Sequence, residues 1–147
     1  MRRIYLDVCC LNRPFDDQSQ ERIRLEAEAV LLILSRCQSG EWTMIGSEAL
    51  EQEVEKTPNQ IRREVLKTSL YFSQYRVPIE AIRSRAQYMQ SDLGVKEFDS
   101  FYLASAELAE AEVFLTTDDK LIKIATRYQS QISVSVKKPD QWINSQK

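Results

Sequence analysis

Histidine is absent from this chain of 147 residues. That absence excludes a Ser-His-Asp triad, a Cys-His pair and an imidazole-ligated zinc, so acid–base or metal chemistry must fall to carboxylates, lysines, tyrosines or cysteines. Glycine is nearly absent too, with 3 residues, and neither GxGxxG nor GxxxxGK[ST] occurs, which removes the Gly-rich phosphate loops. The 3 cysteines, Cys9, Cys10 and Cys37, are odd in number and lack CxxC spacing; they read as buried free thiols of a reducing cytoplasm. No apolar run approaches the length of a membrane span, and Asp7 interrupts the opening "MRRIYLDVCC", so neither a membrane segment nor a signal peptide is expected. A basic excess is also missing: 20 Lys and Arg against 22 Asp and Glu leave a net charge of −2, so any contact with nucleic acid must come from a local patch.

What remains is an ordinary globular composition, 43% hydrophobic and 29% charged, of a size that suits one domain over residues 1–147. Strand-like and helix-like segments alternate. "RIYLDVCCL" reads as a buried, central, parallel strand ending near Asp7, and "NRPFDDQSQ" as a loop. Residues 21–39 carry Ile23, Ala27, Val30, Leu31 and Leu34 at helical spacing, with Gly40 where a helix-terminating glycine belongs. "EWTMIG" is a strand; Ser47 caps a helix with Leu50 and Val54 on its apolar face, and Pro58 ends it. A helix over 61–72 with Ile61, Val65, Leu66 and Leu70 on one side, a brief strand at "YRV", and a helix opened by Pro78 with an Ile79, Ile82, Ala86, Met89 stripe follow. Then come an Ala-rich helix over 98–109, the strand "VFLTT", the helix "DDKLIKIATRY" and a last strand "ISVSV". Residues 139–147 read as a polar tail anchored by Trp142. The alternation predicts an α/β layered fold with a mostly parallel sheet.

In such sheets, sites form at the carboxyl ends of strands. Asp7 sits among Tyr5, Leu6, Val8 and Cys9, where a carboxylate is partly desolvated and expensive without a partner. Asp118 and Asp119 follow "VFLTT", Asp99 opens the Ala-rich helix, and Glu48, Glu51, Glu53 and Glu55 lie on the helix after "WTMIG". Singly, Asp99 and Asp118 are adequately explained as a first-turn acid and an N-cap, and most of the glutamates as a solvated face. Gathered at one strand end they would repel one another, and a hard divalent cation with oxygen ligands would relieve that repulsion. Such a cluster points to phosphoryl transfer rather than acyl transfer.

"IYLDVCCLN" and "DSFYLASAELAEAEVFLTTDDKL" together resemble the PIN-domain ribonucleases, and within them the toxin half of VapBC-type toxin–antitoxin pairs. The resemblance spans nearly the whole chain and implies a PIN-like three-layer α/β/α fold. It assigns Asp7, Asp99 and Asp118 as acids of a metal cleft, Asp118 through the T-x-D pattern that starts at Thr116. The remaining acid is a glutamate: Glu53 fits best, with Glu51 and Glu48 as alternatives. The family's small polar residue shortly after the first aspartate is replaced by Val8-Cys9-Cys10, leaving Asn12 to supply such a contact, and its common histidine in the second segment is Tyr102. The implied activity is Mg²⁺- or Mn²⁺-dependent hydrolysis of RNA phosphodiesters, with Thr116 supporting an acid or a water. A cognate antitoxin and a homodimer are implied as partners. Arg13, Lys120 and Lys123 are candidates for phosphate contacts, and Tyr5 and Phe15 are better placed in the core than against bases. The alternative is a PIN-like RNA-binding or scaffold protein that has lost catalysis. A haloacid-dehalogenase-like phosphatase is excluded because Cys9 stands where D-x-D needs its second acid.

Overall fold

The computed structural model describes residues 2–146. Strand β1 (Arg3–Leu6) is short because Asp7 ends it. Its extended backbone and side-chain oxygen cap a five-residue helix, α1 (Val8–Asn12), by accepting from the Cys10 N–H. The strand ends near Asp7 as the sequence leads one to expect; beyond it an N-capping carboxylate competes with strand continuation, and Val8-Cys9-Cys10 turn into a helix. A single 3₁₀ turn (Arg13–Phe15) precedes α2 (Glu21–Gln38), which Gly40 follows with a positive φ of 84°.

The chain continues as β2 (Thr43–Ser47), α3 (Glu48–Glu55), α4 (Gln60–Leu70), β3 (Ser73–Val77), α5 (Ile79–Leu93), α6 (Glu97–Leu108), β4 (Val113–Leu115), α7 (Asp119–Arg127), β5 (Ser135–Lys137) and α8 (Pro139–Asn144). Ser47 caps α3 as expected, its hydroxyl accepting from the Leu50 N–H. The sheet is five-stranded and wholly parallel, in the order β3-β2-β1-β4-β5. Connections leave β1 in one direction toward β3, and from β4 in the other. Right-handed crossovers then return helices on opposite faces, which makes the helix–sheet–helix layering.

The core sits under the central strands. Ile4, Tyr5, Leu6, Met44, Ile45, Phe114 and Leu115 are fully buried, with the Tyr5 and Phe114 rings stacked 5.3 Å apart. Two apolar faces differ from expectation. Leu31 on α2 points outward, and on α4 only Leu66 is buried, while Ile61 and Val65 are exposed. The segment expected as a polar tail contains α8, whose Trp142 is buried edge-on against Trp42 at 5.1 Å, and α8 packs on α2; Lys147 lies outside the described residues.

Candidate metal centre

The order β3-β2-β1-β4-β5 places its switch point between β1 and β4, where ligand crevices form in open α/β sheets. The register Leu6↔Leu115 brings Asp7 beside Thr116, and the Asp7 N–H donates to the Leu115 carbonyl at 3.2 Å. Asp7 is 1% exposed. Its Oδ1 accepts from the Cys10 N–H at 3.0 Å and from the Cys9 thiol at 2.8 Å. Burial first, and then the neighbouring Cys9, hold the Asp7 carboxyl well above the usual carboxylate range. The Cys9 thiol is drawn down to about 5, chiefly by its hydrogen bond with Cys10 and against the opposing effect of burial. Asp7 and Cys9 thus compete for one negative charge.

Thr116 is completely buried. Its Oγ1 accepts from the Asp118 N–H at 3.1 Å and lies 3.5 Å from Cys9 Sγ. Asp118 caps α7, its Oδ1 accepting from the N–H groups of Lys120 at 2.9 Å and Leu121 at 3.3 Å. Asp119, one residue on, turns to the side: its carboxylate takes both Arg22 nitrogens at 3.0 Å and the Lys138 ammonium at 2.8 Å, and these partners pull it down to about 2.

Asp99 lies in the first turn of α6, where the helix dipole favours a negative charge. Its carboxyl is nevertheless raised to about 6, first by burial, then by the charges of Asp118, Cys9 and Glu53, against the opposing pull of Lys96. Acids from two other elements, Asp118 and Glu53, therefore bear on Asp99. Of the glutamates on α3, Glu48 accepts from the Ile79 N–H at 2.8 Å and Glu51 takes Arg76 at 2.8 Å, so both tie β3 and α5 to α3. Glu53 is the one whose charge reaches Asp99; it carries a loose pair with Lys56 at 3.6 Å.

Other sequence candidates fall differently. Arg13, expected as a phosphate contact, is bound by the buried Glu26 at 2.7 Å and by Asp16 at 3.1 Å. Asn12 donates to the Val8 carbonyl at 3.0 Å rather than to an acid; Cys9 makes the contact expected of it. Lys120 and Lys123 are exposed on α7. Tyr5 is fully buried and donates to or accepts from Ser47 at 2.8 Å, and Phe15 lies under the Arg62 guanidinium. Glu26, which binds both Arg13 and Arg22, was not singled out from the sequence. Its place three residues after Ile23, on the buried side of α2, is the signal that marks it.

The donor set facing the crevice is oxygen-rich and suits a hard cation such as Mg²⁺ or Mn²⁺. Among the described residues, however, no three His, Cys, Asp or Glu side chains are disposed to hold one ion as they stand. Two carboxylates are engaged through Oδ1 in helix caps, so loading would draw on their second oxygens and on movement of Asp99 and Glu53.

No protein-family model matches this chain, and no curated protein does. Solved structures share its fold. FitAcB from Neisseria gonorrhoeae matches with a TM-score of 0.56 at 20% identity, over 92% of this chain and 97% of that one. VapBC2 from Rickettsia felis, crystallised bound to a DNA fragment from their promoter, matches with a TM-score of 0.54 at 11% identity, over 92% of this chain and 98% of that one. The fold is PIN-like: an all-parallel sheet of five strands flanked by helices. No helix among the described residues is long and apolar enough to cross a membrane.

Proposed function

We propose that this protein is a metal-dependent endoribonuclease, the toxin of a toxin–antitoxin pair. The observation that carries the reading is Asp99: an acid at a helix N-terminus, pushed up to about 6 by burial and by Asp118, Cys9 and Glu53. A capping or solvated acid would stay in the ordinary range, whereas like charges confined together are what a cation-binding site requires. Asp7, Asp99 and Asp118, with Glu53 rather than Glu48 or Glu51, would hold Mg²⁺ or Mn²⁺. The cation, when bound, would activate a water and offset charge on the scissile phosphate. Asp7 is held in place by Cys9 and the α1 N-terminus, and Thr116 fixes the backbone that presents Asp118. Lys120 and Lys123 extend from the same helix that Asp118 caps and offer cations to flanking phosphates.

The antitoxin follows from the sequence resemblance and from the fold shared with VapBC2. The exposed Ile61 and Val65 on α4 offer apolar surface for a protein partner, beside a groove of about 700 Å³ between α3 and α4 whose lining is largely charged, Glu51, Glu55, Lys67 and Arg76 among it. With three free cysteines, the place of action is the cytoplasm. The second reading, a PIN-like RNA-binding protein without catalysis, draws on the lack of three preassembled ligands among the described residues. Incubation with RNA and Mg²⁺ or Mn²⁺, with and without EDTA, decides between them. Cleavage should require the metal and be lost in Asp7→Asn and Asp99→Asn; cleavage that survives both substitutions removes the metal-site reading, and RNA binding with no cleavage supports the degenerate one.

A further inference from the structure

The Tyr102 hydroxyl is buried, with the residue 2% exposed, and has no hydrogen-bond partner. Buried hydroxyls are almost always satisfied, because an unpaired one forfeits its bond to water without replacement. The ring is well held, 6.1 Å from Tyr5 and 6.2 Å from Phe98, so the hydroxyl has little freedom to find solvent. Tyr102 follows Asp99 by three residues on α6 and so shares its face. Besides burial and Tyr5, the charges that bear on this phenol are those of Glu53, Asp7 and Asp99, in that order, and all of them keep its proton on. It is a donor among acids that do not reach it.

Those acids differ in freedom. Asp7 is locked as the α1 cap. Glu53 is partly exposed and, among the described residues, its side chain's tether is the long contact with Lys56, whose ammonium also rests on the Phe98 ring at 4.7 Å. The carboxylates must also shift if they are to share one ion, since no three of them are disposed to do so as they stand.

We propose that Tyr102 is a positioning residue whose hydroxyl takes the Glu53 carboxylate when the cleft closes on a divalent cation, leaving the other Glu53 oxygen to face the ion. This rests on the metal-dependent reading above. It explains an unpaired donor as one reserved for the loaded state, and it gives Glu53 a partner that neither Glu48 nor Glu51 would have.

The test is a double-mutant cycle read by Mn²⁺ titration calorimetry and by melting of the metal-free protein. Tyr102→Phe keeps the ring and removes only the orphan hydroxyl, so the metal-free protein should melt at the same temperature as the parent or higher. Its Mn²⁺ affinity should fall by about 10- to 150-fold, the range for losing a hydrogen bond to a charged group. In a Glu53→Gln background the same substitution should cost no further affinity. Unchanged Mn²⁺ affinity in Tyr102→Phe, a loss that is additive with Glu53→Gln, or a lower metal-free melting temperature would each overturn the proposal. A parent protein that binds no Mn²⁺ and cuts no RNA would instead remove the nuclease reading, and this positioning role with it.

Discussion

The Cys9 thiol donates to Asp7 Oδ1 at 2.8 Å and lies 3.5 Å from Thr116 Oγ1, so one thiol links the ends of the two central strands. It does so where the PIN resemblance leads one to expect a hydroxyl or amide. Cys9→Ser retains a donor and should keep most of the activity. Cys9→Ala removes the thiol's hold on Asp7 and should lower RNA cleavage by about 10-fold or more, the usual effect of removing a partner that orients a metal-binding carboxylate. Because Cys9 is partly exposed, iodoacetamide should inactivate the parent and spare Cys9→Ser. Equal activity of the Ala and Ser variants would show that the thiol has no orienting role.

The adjacent aspartates behave as two different groups. Asp118 caps α7 and bears on Asp99, whereas Asp119 is committed to Arg22 and Lys138. Asp118→Asn keeps capping ability, since Asn is also a good N-cap, and should still lower cleavage by on the order of 100-fold through loss of charge in the site. Asp119→Asn should leave cleavage largely intact. Side-by-side rate measurements check both, and the reverse ranking would place the site one residue further along.

The Asp99 carboxyl should contribute more stability to the metal-free protein as pH falls from about 6 toward 4, whereas the lowered Cys9 thiol contributes in the opposite direction. Asp99 has a folded-state value of about 6, above the unfolded value near 3.8, so the folded state binds more protons over that interval. The Asp99 contribution therefore declines as pH rises through this window, the burial of Asp7 acts in the same direction, and comparison with Asp99→Asn separates it from the opposing effect of Cys9. Asp99→Asn should raise stability at pH 7 by on the order of 2 kcal/mol, and the gain should vanish below about pH 4. Urea melts of both proteins at pH 7 and pH 4 check the sign. Added Mn²⁺ should reverse the ranking, stabilising the parent more than the variant.

Gly46 tests the sheet edge. A Cβ there would stand 2.6 Å from Ser73 Oγ and 2.8 Å from the Tyr75 carbonyl, at the register shift between β2 and β3. The serine hydroxyl can rotate away; the backbone carbonyl cannot, since Tyr75 itself has a left-handed φ of 62°. Gly46→Ala should cost about 1–3 kcal/mol of stability, seen as a lower urea midpoint at unchanged slope.

Periodicity along the chain determined the α/β alternation, the parallel sheet, the Ser47 cap and the order of the helices, because each depends on near-neighbour spacing and on capping chemistry. The family-like segments also nominated Asp7, Asp99 and Asp118 residue by residue. The end of β1 near Asp7 was legible, but the helix that follows was not: Val8-Cys9-Cys10 has strand-like composition, and only the Asp7 carboxylate accepting from the Cys10 N–H turns it into a helix. Nor could sequence decide among Glu48, Glu51 and Glu53, which share one helix; the partners of the first two, Ile79 and Arg76, come from elements more than 20 residues away. Arg13 has the composition of a phosphate contact, and only folding sets it against the buried Glu26. The same is true of the unpaired Tyr102 hydroxyl. Local sequence specifies which groups a residue carries, but pairing, burial and mutual repulsion are sums over neighbours that only the tertiary fold assembles.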